Sequence, residues 1–279
     1  MNEDEGDPGV DWAGTRHVPA GPSARIACVV PSITETLFAL GLGDRVVART
    51  GFCVHPHDAV RAVPRIGGTK DFDLQRLREL RPTHLIVNID ENRREVVDRA
   101  REFVPGIVVT HPLRPEDNRR LFGLLGAIFG CAAAADALAG RFDRALAYLQ
   151  RRADDLPRER VLYLIWRKPW MTVARDTYIA ATLRSAGFDT VPERCEQRYP
   201  ALSDDDAVWR KAQRILLSSE PYAFRARDVE ELQSRVGRPV MLIDGEWTSW
   251  YGVRAIDGLR ALARWRERPK VSRGDRREA

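Results

Sequence analysis

The chain has 279 residues, with 45 Lys and Arg against 40 Asp and Glu, a net charge of +5 and 44% apolar residues. That length allows one large or two moderate domains with a real core, and no apolar run approaches the ~20 residues that a membrane-spanning helix needs. Part of the excess positive charge lies after Arg264, in RWRERPKVSRGDRREA, and the body lacks the clustered basic and aromatic motif of a nucleic-acid reader.

The first 24 residues, MNEDEGDPGVDWAGTRHVPAGPSA, are acidic and rich in Gly and Pro. They have no positive start followed by an apolar run, so they read as a disordered N-terminus rather than a secretory signal. The chain as encoded is therefore expected in the cytoplasm. Cys28, Cys53, Cys131 and Cys195 are scattered with no CxxC, which fits reduced thiols better than disulfides or zinc.

The β-branched run Arg25–Val30 reads as a buried strand. Ser32 to Glu35 has the S-x-x-E pattern of a capping box opening a helix over 33–40, which Gly41 and Gly43 stop. A second strand at Val46–Val47 runs into the loop TGFCVHPH (50–57). Asp73 caps a helix over 74–80, HLIVN (84–88) is a strand, 91–103 a charged helix and 107–109 a strand. Strands alternating with helices at this spacing predict a parallel sheet covered on both faces.

Pro115 to Ala153 is the longest helical pattern. Pro115, Glu116 and Asp117 suit its start and Arg151 and Arg152 its end. Leu121, Phe122, Leu124, Leu125, Ile128 and Phe129, then Leu138, Phe142, Leu146 and Leu149, form an apolar stripe. Gly130 is a place for a kink; unbroken, the helix would span on the order of 50 Å. Beyond it the pattern recurs, with strands at 161–166, 171–174, 189–191, 214–219 and 240–243. Helices are expected at 177–186, from Asp204–Asp206, at 227–236 and at 253–265. The halves match in order: LGLGDRVV with SAGFDTV, and DLQRLRELRPTHLIVN with DDDAVWRKAQRILLSS. This duplication predicts two Rossmann-like α/β lobes with parallel central sheets joined by one long bridging helix. The boundaries expected are an N-terminal lobe over 25–114, the bridge over 115–153, a C-terminal lobe over 154–268 and a basic disordered tail over 269–279.

Ligands of open parallel sheets bind outside the carboxyl ends of the strands, and two such sheets can face each other across a cleft. The residues following predicted strands are Ser32, then Phe52 and His55, then Asn88, Ile89, Asp90 and Glu91. In the second half they are Trp166, Arg167, Lys168 and Trp170, then Glu220 and Tyr222, and finally Glu246, Trp247, Trp250, Tyr251 and Arg254. Aromatic rings gathered on such loops suggest a flat, partly apolar ligand. The chain has no Walker loop, GxGxxG, GxSxG or HExxH. His55 and His57 form the one close histidine pair, and His55 is a candidate metal contact. Arg167, Lys168 and Arg254 are candidates for pairing with ligand carboxylates or phosphates.

The stretches RIACVVPSITETLFALGLGDRVVART and VPRIGGTKDFDLQRLRELRPTHLIV, with WTSWYGVRAI near the end, resemble the helical-backbone periplasmic binding proteins for cobalamin and ferric siderophores. The likeness runs from about Ala24 to Arg268 and is strongest to the cobalamin-binding branch. It implies two lobes bridged by one stiff helix, no catalysis, a cobalamin-like corrinoid or ferric chelate held in the cleft, and delivery to an ABC importer. Phe52, His55 and Trp247 match aromatic pocket positions and Arg254 an arginine opening the last helix, whereas Asn88 stands where a tryptophan is expected. The family's permease-docking glutamates correspond to Gln75 and Asp205, one charge lost and one carboxylate shortened. The periplasm is the family norm. The reading is a monomeric solute-binding module that uses no catalytic cofactor, spans no membrane and binds no nucleic acid. The alternatives are a metal- or corrinoid-dependent enzyme using His55, Glu246 and Arg254, with an acid-rich cleft, or an interaction scaffold with a filled one.

Overall fold

The computed structural model describes residues 7–193 and 195–267. Four parallel strands form the first sheet, in the order β2-β1-β3-β4. They are β1 (Ile26–Cys28), β2 (Val46–Arg49), β3 (His84–Asn88) and β4 (Gly106–Thr110). Helices α1 (Pro31–Ala39), α2 (His57–Val60), α3 (Leu74–Glu79) and α4 (Arg94–Ala100) connect them. Asp73 caps α3 as expected, accepting from the Arg76 amide at 3.0 Å. The capping box at Ser32–Glu35 does not form. Pro31 takes the first helical position and Val30 the N-cap, with no side-chain cap, which leaves the Glu35 carboxylate free for the cleft.

The segment 115–153 is two helices, α5 (Asp117–Phe129) and α6 (Ala132–Asp154). Gly130 ends α5 in the left-handed region at φ 70°, where Gly carries no Cβ penalty. The chain then folds back: the Phe122 and Phe142 rings meet at 6.3 Å, and Arg119 Nε bonds Asp143 at 2.6 Å. A Cβ on Gly126 would lie 2.7 Å from that of Ala135, so this glycine sets how closely the two helices approach. The unbroken 39-residue helix is thus corrected to a hairpin, and the bridge proper is α6, about 34 Å long at 1.5 Å per residue.

The second sheet has the order β10-β9-β5-β6-β8, with β7 also paired to β5. It comprises β5 (Glu159–Trp166), β6 (Trp170–Thr172), β7 (Phe188–Thr190), β8 (Ala201–Leu202), β9 (Arg214–Ser218) and β10 (Val240–Ile243). The strands β10, β9, β5 and β7 pair in parallel, while β6 and β8 make an antiparallel margin. Its helices are α7 (Tyr178–Ser185), α8 (Val208–Lys211), α9 (Ala226–Val236), α10 (Glu246–Ser249) and α11 (Val253–Arg266). The duplication is visible in detail: Gly41 after α1 and Gly187 after α7 both turn with φ near 78° (77° and 79°).

One apolar core runs through both lobes. It passes from Ile26 and Cys28 through Ile33 and Leu37 of α1, Phe122 of α5, Phe142 and Leu149 of α6 and Ile256 and Leu259 of α11 to Tyr163 and Phe188. Separate clusters cover the other face of each sheet. Residues 7–24, expected to be disordered, instead cover the margin of β4. The Trp12 amide donates to Val109 O at 3.1 Å, the Val109 amide to the buried Asp11 carboxylate at 3.0 Å, and Arg120 lies 4.2 Å over the Trp12 ring. This contact satisfies an otherwise bare strand edge. The expected tail over 269–279 lies outside the described residues. Among those described, no helix is long and apolar enough to cross a membrane.

Candidate functional site

The carboxyl ends of the two parallel sheets face each other, and the loops that leave them meet. On one side of the resulting cleft, Arg254 grips Glu35 of α1 with two bonds of 2.7 Å and Glu246 with a third of 2.9 Å. His55 Nε2, from the loop after β2, lies 3.3 Å from the other Glu246 oxygen, and its ring meets Trp250 edge-on at 5.5 Å. The Trp250 indole donates to Glu220 at 2.7 Å, and Ser249 donates to the same carboxylate. Burial pushes the Glu220 carboxyl up, and these two donors pull against it.

At the other margin, Arg198 pairs with Asp90 after β3, and its Nη1 lies 2.9 Å from His111 Nε2 after β4. Tyr199 adds a bond to Asp90 at 3.4 Å. Burial would raise the Asp90 carboxyl, but His111 and Arg198 hold it below its usual range. Between the two clusters, Tyr251 donates to Glu91 at 2.5 Å. Glu91 keeps some residue surface in solvent, yet its carboxyl is shut in, and burial pushes it up to about 7. Gly252 then threads against α1, with its amide on Asn118 Oδ1 and the next amide on Thr36 Oγ1 at 3.0 Å.

The apolar content of the cleft is equally distinctive. Six large hydrophobic side chains stay exposed among the described residues, and four stand at strand ends: Phe52 (64%), Val54 (44%), Ile89 (51%) and Trp166 (40%). Three belong to the first lobe and Trp166 to the second, where Tyr222 meets it edge-on at 5.6 Å. Exposed apolar side chains gathered in one place mark a contact surface better than scattered ones. The loop that presents Phe52, Val54 and His55 is built around Arg49. Its buried guanidinium donates to the carbonyls of Val60, Val63, Thr50 and Cys53 at 2.8–3.2 Å.

The residues singled out from sequence divide accordingly. Phe52, Trp166 and Tyr222 stand at or after strand ends with their rings at least partly exposed, while His55, Glu246, Trp250, Tyr251 and Arg254 take part in contacts across the junction of the lobes. Ser32 and Asn88 are buried beside it, and Asn88 shapes its turn by exchanging bonds with Asn92 and Asp90. Trp247 packs against the common core and the α11 backbone at Gly258. Two candidates are corrected. Trp170 stacks on Phe224 at 6.1 Å and meets Trp209 at 5.8 Å inside the second lobe. Arg167 is tied to Asp228 at 2.6 Å and to Glu231. Packing and pairing within their own lobe account for both. Arg254 is likewise saturated by carboxylates and not free for a ligand anion.

His57 turns away from His55 toward Asp58 and Arg61. Among the described residues no group of three or more His, Cys, Asp or Glu side chains is placed to hold a metal ion. Gln75 is exposed on α3 and Asp205 just before α8, on different lobes. The sequence marked Ile89, Asp90, Glu91 and Glu220 only as residues that follow strands, and gave no role to Glu35 or to Val54, which sits in the loop after β2 between Phe52 and His55. Arg198 and Tyr199 lie on an irregular loop, where periodicity carries no signal, whereas His111 directly follows β4 and strand ends could have pointed to it.

Comparison with known proteins agrees with this two-lobed fold. The family model described as periplasmic binding protein matches residues 26–237. A vitamin B12-binding protein of Vibrio vulnificus is 22% identical over 233 residues, covering 82% of this chain and 84% of its own. Among solved structures, the periplasmic vitamin B12 binding protein BtuF of Vibrio cholerae superposes with a TM-score of 0.75 at 19% identity, over 88% of this chain and 97% of that one. The periplasmic heme-binding protein RhuT from Roseiflexus sp. RS-1 does so at 0.73 and 20% identity, over 88% and 98%. These relatives are binding proteins and not enzymes, so the catalytic alternative on His55, Glu246 and Arg254 finds no support. The match extends over most of the chain, which belongs to the periplasmic binding protein family.

Proposed function

We propose that the protein is a solute receptor that holds a flat metal chelate, a cobalamin-like corrinoid, haem or a ferric chelate, between its lobes. The observation that carries the reading is the set of exposed apolar side chains at the strand ends, Phe52, Val54 and Ile89 in the first lobe and Trp166 in the second. The Phe52 and Trp166 rings bury a planar ligand at little entropic cost, and burying such a side chain contributes about 1.5–3 kcal/mol. The polar groups around them pair with one another, which leaves apolar contact as the main source of affinity. Relatives named for vitamin B12 and heme support the ligand class.

His55 contributes differently for different cargoes. Its Nε2 lies against Glu246, so contact with the iron or cobalt of a ligand exchanges that bond for a metal bond. Delivery to an importer engages the exposed surfaces at Gln75 and Asp205, and fractionation of cells decides between periplasmic delivery and cytoplasmic handover.

The test is calorimetric and absorbance titration of the purified chain with cyanocobalamin and with hemin, in wild type, Phe52→Ala, Trp166→Ala and His55→Ala. Saturable binding is expected, weakened about tenfold or more by either aromatic truncation. His55→Ala shifts the ligand spectrum only if the imidazole meets the metal. Absence of saturable binding by both ligands, or affinities untouched by the aromatic substitutions, refutes the reading.

A further inference from the structure

Away from the cleft, α6 and α11 lie side by side. α6 buries Phe142, Ala145 and Leu149, and at 100° per residue Arg144, Tyr148 and Arg151 fall on the opposite face. Together with Arg260 and Arg264 of α11 they line a concavity of about 660 Å³, within the ~300–1,000 Å³ usual for small-molecule sites. Its one acid, Asp143, is already paired with Arg119 at 2.6 Å. Among the described residues Arg144, Arg151 and Arg264 form no ion pair, and Arg260 has a single 3.4 Å contact with Asp257.

Helix dipoles explain part of this, because Arg151 and Arg264 stand in last turns, where cations are favoured. They do not explain Arg144 or Arg260, which sit farther from the helix ends. Nor do they explain like charges one turn apart at 260 and 264, which cost a few tenths of a kcal/mol in an isolated helix. The concavity therefore concentrates uncompensated guanidinium groups around a half-buried tyrosine.

We propose that this groove is a second binding site, for a small organic polyanion. Arg260 and Arg264, about 6 Å apart at Cβ, suit adjacent phosphate groups through paired N–H forks. Arg144 and Arg151 close the other wall, and the Tyr148 ring receives the aromatic or apolar part of the molecule. A nucleoside polyphosphate has this chemistry.

The experiment is calorimetry of the full chain with ATP and with inorganic pyrophosphate at low and high salt, in wild type and in Arg144→Glu/Arg260→Glu. Expected is saturable ATP binding that salt weakens, and that the charge reversal weakens at least about tenfold. Arg144→Gln/Arg260→Gln serves if the reversed variant melts early. Tyr148→Ala should weaken ATP and leave pyrophosphate unchanged. Absence of binding in wild type, or equal binding in all variants, overturns the proposal. So does sedimentation with phosphatidylglycerol vesicles when neither small anion binds, because the groove would then face a membrane. Cyanocobalamin and hemin titrations should not respond to these substitutions, so the groove and the cleft succeed or fail separately.

Discussion

Glu91 is the carboxyl whose protonation the fold perturbs most usefully for experiment. Burial pushes it up to about 7, Asp90 and Glu220 push the same way, and the Tyr251 hydroxyl opposes them without cancelling them. The sign follows directly. Between the ordinary value of 4.5 and about 7, the folded chain holds this proton more tightly than the unfolded chain does. Stability should therefore fall as pH rises through that window, by at most about 1.4 kcal/mol per pH unit for one group. Glu91→Gln keeps an acceptor for Tyr251 and removes the titration, so its melting temperature should exceed wild type at pH 8 and approach it at pH 4. Parallel curves for the two proteins across this range would remove Glu91 as the cause. Arg254 shows the complementary case. Burial lowers the affinity of its guanidinium for a proton, and Glu35 and Glu246 more than restore it, so it is a structural cation rather than a free one.

At the scale of elements, the turn from α10 into α11 depends on Gly252. Its φ of 77° and ψ of −149° lie in a region open essentially to glycine alone. A Cβ there would meet Thr36 Oγ1 at 2.1 Å and Ser32 O at 3.3 Å. Gly252→Ala should lower unfolding free energy by at least about 2–3 kcal/mol, measured by denaturant titration. A change below about 0.5 kcal/mol would mean that α11 is seated some other way. The elements also show what sequence made legible. Strands such as His84–Asn88 and Arg214–Ser218 were readable because buried parallel strands are unbroken apolar runs. The break at Gly130 was only partly readable, because an apolar stripe repeats at the same spacing in one helix or in two that fold back. The S-x-x-E signal at Ser32 misled because Pro31 occupies the first turn and Arg254, 219 residues away, competes for Glu35. Strand ends exposed most of the site, since ligand loops must follow them. The partners across the cleft are tertiary facts, and a sequence pattern two or five residues long cannot encode them.

At the scale of the molecule, the question is whether the lobes move against each other. Arg254 with Glu35, Glu246 and His55 ties them at one margin of the cleft, and Arg198 with Asp90 ties them at the other. The first tie reaches Glu35 and His55, which follow β1 and β2, and the second reaches Asp90, which follows β3. Each cation is mostly buried among its partners, and its removal leaves carboxylates unpaired in a poorly solvated site. Arg254→Ala and Arg198→Ala should each cost about 1–3 kcal/mol. If the lobes hinged as rigid bodies, the two ties would act on one shared motion, and the double variant would depart from the sum. The core argues otherwise, because it passes without interruption through α1, α6 and α11 from one sheet to the other. Opening the cleft widely would expose this core, at about 25 cal/mol per Å² of apolar surface, a cost set by the core and not by the two ion-pair ties. The double variant should therefore be additive to within about 0.5 kcal/mol in a denaturant cycle, with faster amide exchange confined to the loops at 50–56, 196–200 and 244–252. A coupling above about 1 kcal/mol would show a true hinge, and ligand entry would then be gated by lobe opening rather than by these loops.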